Sequence, residues 1–168
     1  MMPLKENEWI QKAQNCSQIP YSQNCSCAVA YGEKQMLDLW LYTYLICNAS
    51  AQAIVDELLP LEPIFIGPVL QHMSSFMRCC GPEEGMRYFE ERERFELRVH
   101  QLMEAIVRGA DLPPLLLHYC GGEFDLYDGA HRYEAYSRLG ISQIPVIIWL
   151  RNQADKADFC RRYPPVFL

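Results

Sequence analysis

The chain has 168 residues, 50% of them hydrophobic and 21% charged, with a formal net charge of -6. That length buries a sizeable core in one domain with elaborations, and the balance is that of an ordinary globular protein, which argues against wholesale disorder. An acidic chain repels phosphate backbones, and its Lys and Arg are scattered among acids, so no nucleic-acid partner is expected.

Met1 to Ile10 carries Lys5, Glu6 and Glu8 and no apolar run, so no secretory leader is expected. The apolar stretch Met36 to Cys47 contains Asp38 and Thr43 and is too short to span a bilayer. It reads as a buried helix, and the expected setting is cytoplasmic, without membrane contact. The cysteines, Cys16, Cys25, Cys27, Cys47, Cys79, Cys80, Cys120 and Cys160, then read as reduced, buried small residues. Cys25-Ser26-Cys27 lacks the two-residue spacing of a zinc knuckle, and no metal site is expected.

In chain order, Glu33 to Leu59 has helical spacing, with Met36, Leu37, Trp40, Leu41, Tyr44 and Leu45 on one face. Pro60 and Pro63 stop it, and Ile64, Phe65 and Ile66 form a short strand before a Gly67-Pro68 turn. Residues 1–60 are expected to be a mainly helical extension and 61–168 the domain proper. Cys79 to Gly85 reads as a loop. A helix is predicted from Glu84 to Arg108, with Phe95, Val99, Leu102, Met103 and Ile106 as its apolar stripe. Glu90, Glu91, Arg92, Glu93, Arg94, Glu96 and Arg98 form its solvated face, and Gly109 its C-terminal cap. Leu115 to Tyr119 is a buried strand, Gly121-Gly122 a tight turn, and Phe124 to Asp128 the returning strand of a hairpin. A helix from Ala130 to Leu139, a strand from Ile144 to Trp149 and a helix from Asn152 to Arg162 complete an α+β sheet with packed helices.

The chemistry concentrates where the second strand of the hairpin meets the next helix. Free N–H groups and the positive end of the helix dipole converge at Ala130, His131 and Arg132, an arrangement that receives anions. Gly129 leaves room for close approach of a phosphate, and Arg132 offers a planar fork to its oxygens. His131 can donate a hydrogen bond or titrate near neutrality, and Asp128 can hold a magnesium ion or accept a proton. The same residues read equally well as an ordinary turn, with Asp128 capping the helix and Arg132 paired to Glu134, Asp125 or Asp128. His118 ends a strand near this turn. Glu134 lies one turn from His131 and can orient it or face water.

The segments Leu112-Pro113-Pro114-Leu115-Leu116, Asp128-Gly129-Ala130-His131-Arg132-Tyr133, Leu139-Gly140 and Ile144-Pro145-Val146-Ile147 together resemble the ParB/sulfiredoxin superfamily. The version of the turn is most similar to that of its free-serine kinases. The resemblance is close over residues 110–150 and loose back to the strand at 63–66. It implies a small mixed sheet that binds ATP or ADP, with Mg2+. Gly129, Ala130, His131 and Arg132 would hold phosphates, and Asp128 and His131 would be catalytic. Glu134 and His118 would form a supporting shell, and Glu57 or Glu62 would be the upstream glutamate. The implied activity is a kinase or ATPase acting on a small hydroxyl-bearing molecule; the alternative is a non-catalytic nucleotide-sensing or interaction module, with residues 1–60 meeting a protein partner. Ala130 stands where sulfiredoxins carry their cysteine, and Cys120 lies on the hairpin, so sulfinic-acid reduction is not expected. Nor is DNA partitioning, since no basic helix-turn-helix domain follows residue 150.

Overall fold

Strands buried on both faces need a layer on each side, and the two central strands of the sheet meet that condition. In the computed structural model, which describes residues 8, 11, 19–48 and 51–168, β4 (Leu115–Cys120) is buried from Leu115 through Tyr119. Its neighbour β6 (Gln143–Leu150) is buried from Val146 through Leu150. The two run parallel, from Leu115 opposite Val146 to His118 opposite Trp149. Antiparallel strands flank them, β1 (Ile64–His72) beside β6 and β5 (Glu123–Asp128) beside β4, in the order β1-β6-β4-β5.

Three helices, α1 (Cys25–Glu33), α2 (Leu37–Ile46) and α3 (Gln52–Leu58), share a core with one face of the sheet. Tyr31, Trp40, Leu45, Val55 and Leu58 pack there with Leu116, Ile147 and Trp149. On the opposite face, Leu117, Tyr119, Val146 and Ile148 meet Tyr136 of α5 (Ala130–Arg138) and Phe159 of α6 (Gln153–Arg162). α4 (Arg92–Val107) lies against α5 through Phe95, Val99, Leu102 and Ala135. Each large apolar side chain buried in this way contributes roughly 1.5–3 kcal/mol. The predicted α+β class is the one observed.

Local signals explain most boundaries. The β4–β5 hairpin turns at Gly121 and Gly122, both with positive φ. Asn152 caps α6 by accepting from the Asp155 N–H. Three predictions need correction. The helical run expected from Glu33 begins earlier, with α1 capped by Asn24, and is broken at Gln35, whose φ is 58°. The helix expected from Glu84 begins only at Arg92. Residues before it are claimed by a short parallel ribbon of β2 (Cys80–Gly81) and β3 (Tyr88–Phe89), in which Tyr88 N–H bonds Cys79 O and Glu90 N–H bonds Gly81 O. Finally, Gly67-Pro68 does not end β1, because a bulge between Ile66 and Val69 absorbs the irregularity and pairing with β6 resumes to His72.

Candidate functional site

β5 ends at Asp128, and Gly129 turns the chain with φ 110° into α5. A Cβ on Gly129 would lie 2.6 Å from Leu115 Cγ and 3.2 Å from Arg132 Nη2. The glycine is therefore required by the packing beneath the turn as well as by its backbone conformation. No side chain caps α5, and its first internal bond runs from Tyr133 N–H to Gly129 O. The N–H groups of Ala130, His131 and Arg132 consequently have no acceptor among the described residues.

Arg132 is only 6% exposed, and its guanidinium is spoken for. Nη1 donates to Pro113 O at 2.6 Å and Pro114 O at 3.2 Å, while Nη2 donates to Asp128 Oδ2 at 2.6 Å and to the Tyr44 hydroxyl at 3.1 Å. Tyr44 in turn donates to the same Asp128 oxygen at 3.0 Å. Burial opposes the arginine's charge, yet Asp128 and Tyr44 together hold its pKa above the ordinary value. Burial first, and Asp128 after the countervailing Arg132, push the Tyr44 phenol up to about 12. The side chain expected to reach a phosphate thus pins the helix start to the Pro113-Pro114 segment and to α2. Asp128 Oδ1 accepts no hydrogen bond among the described residues, so one carboxylate oxygen of the turn is uncommitted.

His131 is oriented by a residue placed on the solvated helix face in the sequence reading. Its Nε2 lies 2.7 Å from Glu90 Oε2, and its ring packs 5.0 Å from the Phe95 ring. Glu90 sits in β3's continuation rather than in α4, and its hydrogen bond to Gly81 O carries it inward. Cys80 Sγ lies 3.8 Å from the same carboxylate. Burial and then Glu90 raise the Cys80 pKa, so the thiol is protonated at neutral pH and is no ready nucleophile.

Glu134 does not orient His131. It accepts from Arg78 Nε at 2.9 Å and Arg138 Nε at 2.8 Å, tying α5 to the loop and to the arginine that also grips Glu96. Nor does His118 line the site. It is buried, stacked 3.7 Å from the Trp149 ring, with Nε2 unpartnered. Burial and then Arg151 lower its pKa, keeping it neutral. Of the two upstream glutamates, Glu57 lines the same cleft as the turn and accepts from Tyr127 OH at 3.0 Å; Glu62 does not line it.

These groups face an open cleft of about 920 Å³ between α2, α3, the end of β5 and the β2–β3 ribbon. Arg87, Arg94 and Arg98 reach it as well. Arg87 is paired with Asp125 at 3.9 Å and Arg94 with Glu90 at 3.7 Å, while Arg98 makes no ion pair among the described residues. The sequence reading found a single basic residue at the turn; Arg94 and Arg98 join the cleft only when α4 is docked beside α5. Glu57 was one of two upstream candidates, whereas Tyr44 was read only as part of an apolar helix face.

The ParB N-terminal domain family model matches residues 88–159, from β3 into α6. The crystal structure of sulfiredoxin from Arabidopsis thaliana matches at 23% identity and a TM-score of 0.37, covering 51% of this chain and 84% of that chain. No curated protein matches. Residues 88–159 are thus similar to the ParB N-terminal domain, a likeness that the Asp128–Arg132 turn and the Ile144-Pro145 strand led us to expect.

Proposed function

We propose that this ParB/sulfiredoxin-like chain binds ATP or ADP in the cleft and transfers a phosphoryl group to a small hydroxyl-bearing molecule. The observation that carries the reading is the uncapped start of α5 opening into a cleft with an arginine rim. Free N–H groups of Ala130, His131 and Arg132 supply directed donors for phosphate oxygens, and the helix dipole adds positive potential. Arg94 and Arg98 supply charge at the rim, whereas Arg132 acts from below by fixing the turn.

The roles expected of Asp128 and His131 divide along the same lines. Phosphoryl transfer requires positioned phosphates, charge neutralisation and an acceptor for the hydroxyl proton. Asp128, held by Tyr44 and Arg132 through Oδ2, presents Oδ1, and Glu57 is the second carboxylate of the cleft. Either suits a proton acceptor. A magnesium ion is compatible with this set: no group of three or more His, Cys, Asp and Glu suited to a metal exists among the described residues, but Mg2+ typically takes one or two carboxylates and completes its shell with phosphates and water. Asp128 and Glu57 are the residues that would hold it, and the ion would supply neutralisation of the transferring charge. Glu90 fixes the His131 ring beside the helix start, where it can hydrogen-bond a phosphate oxygen.

Calorimetric titration with ATP, ADP and CTP, with and without magnesium, tests the binding half. Wild type should bind ATP or ADP saturably, and Arg98→Ala should weaken binding about tenfold without changing thermal stability. A turnover screen starting with free serine tests the transfer half: Asp128→Asn should abolish phosphoryl transfer while nucleotide still binds. Binding without turnover on any hydroxyl compound would favour a nucleotide-sensing module, and absence of binding by folded protein would exclude both.

A further inference from the structure

The β2–β3 ribbon carries two features the phosphate site does not use. Tyr88 is 60% exposed and Phe89 72% exposed, consecutive on a segment whose backbone is fixed by two hydrogen bonds to β2 and its flank. Large aromatic side chains are the most valuable to bury and can be dispensed with on a surface, so an adjacent pair held out in ordered structure marks a contact. Both line the cleft. Arg78 holds the ribbon in place: it donates to Cys80 O at 3.0 Å and to Glu83 and Glu134, lying 4.8 Å over the Phe95 ring. The ribbon that carries the aromatics is therefore tied through Arg78 to α5.

Their position relative to the phosphate donors is set by chain continuity. Phe89 directly precedes Glu90, whose carboxylate touches His131 in the first turn of α5. Adjacent Cα atoms are about 3.8 Å apart, so the aromatic pair begins one residue from a side chain that reaches the anion end of the cleft. Arg87, Arg94 and Arg98 line the same cleft, Arg87 paired with Asp125, Arg94 with Glu90, and Arg98 in no ion pair among the described residues. Free N–H donors, arginines and exposed aromatic rings thus share one cleft, the kinds of group that meet a nucleotide's phosphates and its base.

We propose that Tyr88 and Phe89 form the nucleobase platform of the cleft, contributing affinity by stacking. The proposal rests on the nucleotide reading above and adds to it where the base lies and what holds it. Stacking does not require reading of base edges, so the platform contributes to affinity for ATP but not for a ligand lacking a base.

The test compares ATP with inorganic tripolyphosphate on wild type and on the double variant Tyr88→Ala, Phe89→Ala, by calorimetry under one buffer and salt condition. Both residues are exposed, so the variant is expected to fold, and its melting temperature checks this. Wild type should bind both ligands, ATP more tightly. The variant should lose on the order of 5- to 150-fold in ATP affinity, as removal of a stacking partner does, with tripolyphosphate affinity unchanged. The Tyr88→Phe, Phe89→Tyr variant, which keeps two aromatic faces, should bind ATP as wild type does. Unchanged ATP binding by the alanine variant overturns the platform and leaves the phosphate site standing. Equal losses for both ligands overturn it too, since the ribbon would then be acting on the phosphate end. If wild type binds neither ligand, the nucleotide reading fails and the platform fails with it.

Discussion

Arg132 shows how one residue supports two readings that local sequence leaves open, a phosphate fork or a partner of Asp128. An arginine beside a glycine turn at a helix start fits a phosphate fork, but its donors meet Pro113, Pro114, Asp128 and Tyr44 within the protein. Removing one partner of a buried ion pair leaves the other charge unpaired, which costs about 3–5 kcal/mol. Arg132→Ala should therefore lower the melting temperature by roughly 6–20 °C for a chain of this size, measurable by calorimetry or circular dichroism. A loss of ligand binding in that variant would report the collapse of the turn, which is why Arg98→Ala is the sharper probe of phosphate contact. Gly129→Ala should also destabilise, by about 2 kcal/mol or more, because the left-handed φ and the 2.6 Å approach to Leu115 Cγ act together. Denaturant midpoints compared with Gly140→Ala, whose Cβ would meet nothing within 4 Å, separate backbone strain from collision.

At the scale of elements, the β2–β3 ribbon is the part of the fold that local pattern concealed. Glu and Arg alternate so densely through 83–98 that a continuous solvated helix is the natural reading. Tertiary hydrogen bonds to Cys79 and Gly81 hold residues 88–90 extended instead, and this turns Glu90 toward His131. Arg78, with a side chain only 9% exposed, is the anchor; the Glu83 carboxyl bonded to it falls to about 2 through that hydrogen bond. Arg78→Ala should raise amide exchange across residues 80–90 while α6 and β6 stay protected, as seen by hydrogen–deuterium exchange. Uniform protection in the variant would mean that the ribbon holds itself.

For the whole molecule, a net charge of -6 goes with a cleft in which arginines and carboxylates are mixed. No helix among the described residues is long and apolar enough to cross a membrane. Stability should carry a pH signature from His118. Burial lowers its folded pKa, so the unfolded chain binds a proton at higher pH than the native one. Stability from this group is fully present above the unfolded value, about 6.5, and falls as pH drops from there through the lowered folded value. Thermal melts between pH 7.5 and 5 should show this loss, and His118→Phe, which keeps a ring against Trp149, should flatten it. An unchanged slope in the variant would place the acid sensitivity elsewhere.

The sequence by itself determined the α+β class, the β4–β5 hairpin, the turn into α5 and the strand after it. These depend on short-range facts: apolar runs bounded by glycine and proline, a cap, a turn residue with positive φ. It also located the turn at which donors converge, because free N–H groups at a helix start are a property of the helix itself. What only the tertiary structure decided is the rest of the site. Tyr44 reaches Asp128 across 84 positions, and Glu90 reaches His131 across 41. Glu57 comes from a helix that the sequence reading set outside the domain. Such pairs leave no periodic trace, since they arise when helices with ordinary amphipathic faces pack on a shared sheet and their polar edges meet at its rim. The same packing explains why the two readings of Arg132 stayed open: local sequence shows which groups a side chain offers, and only the fold shows which of them the protein has already used.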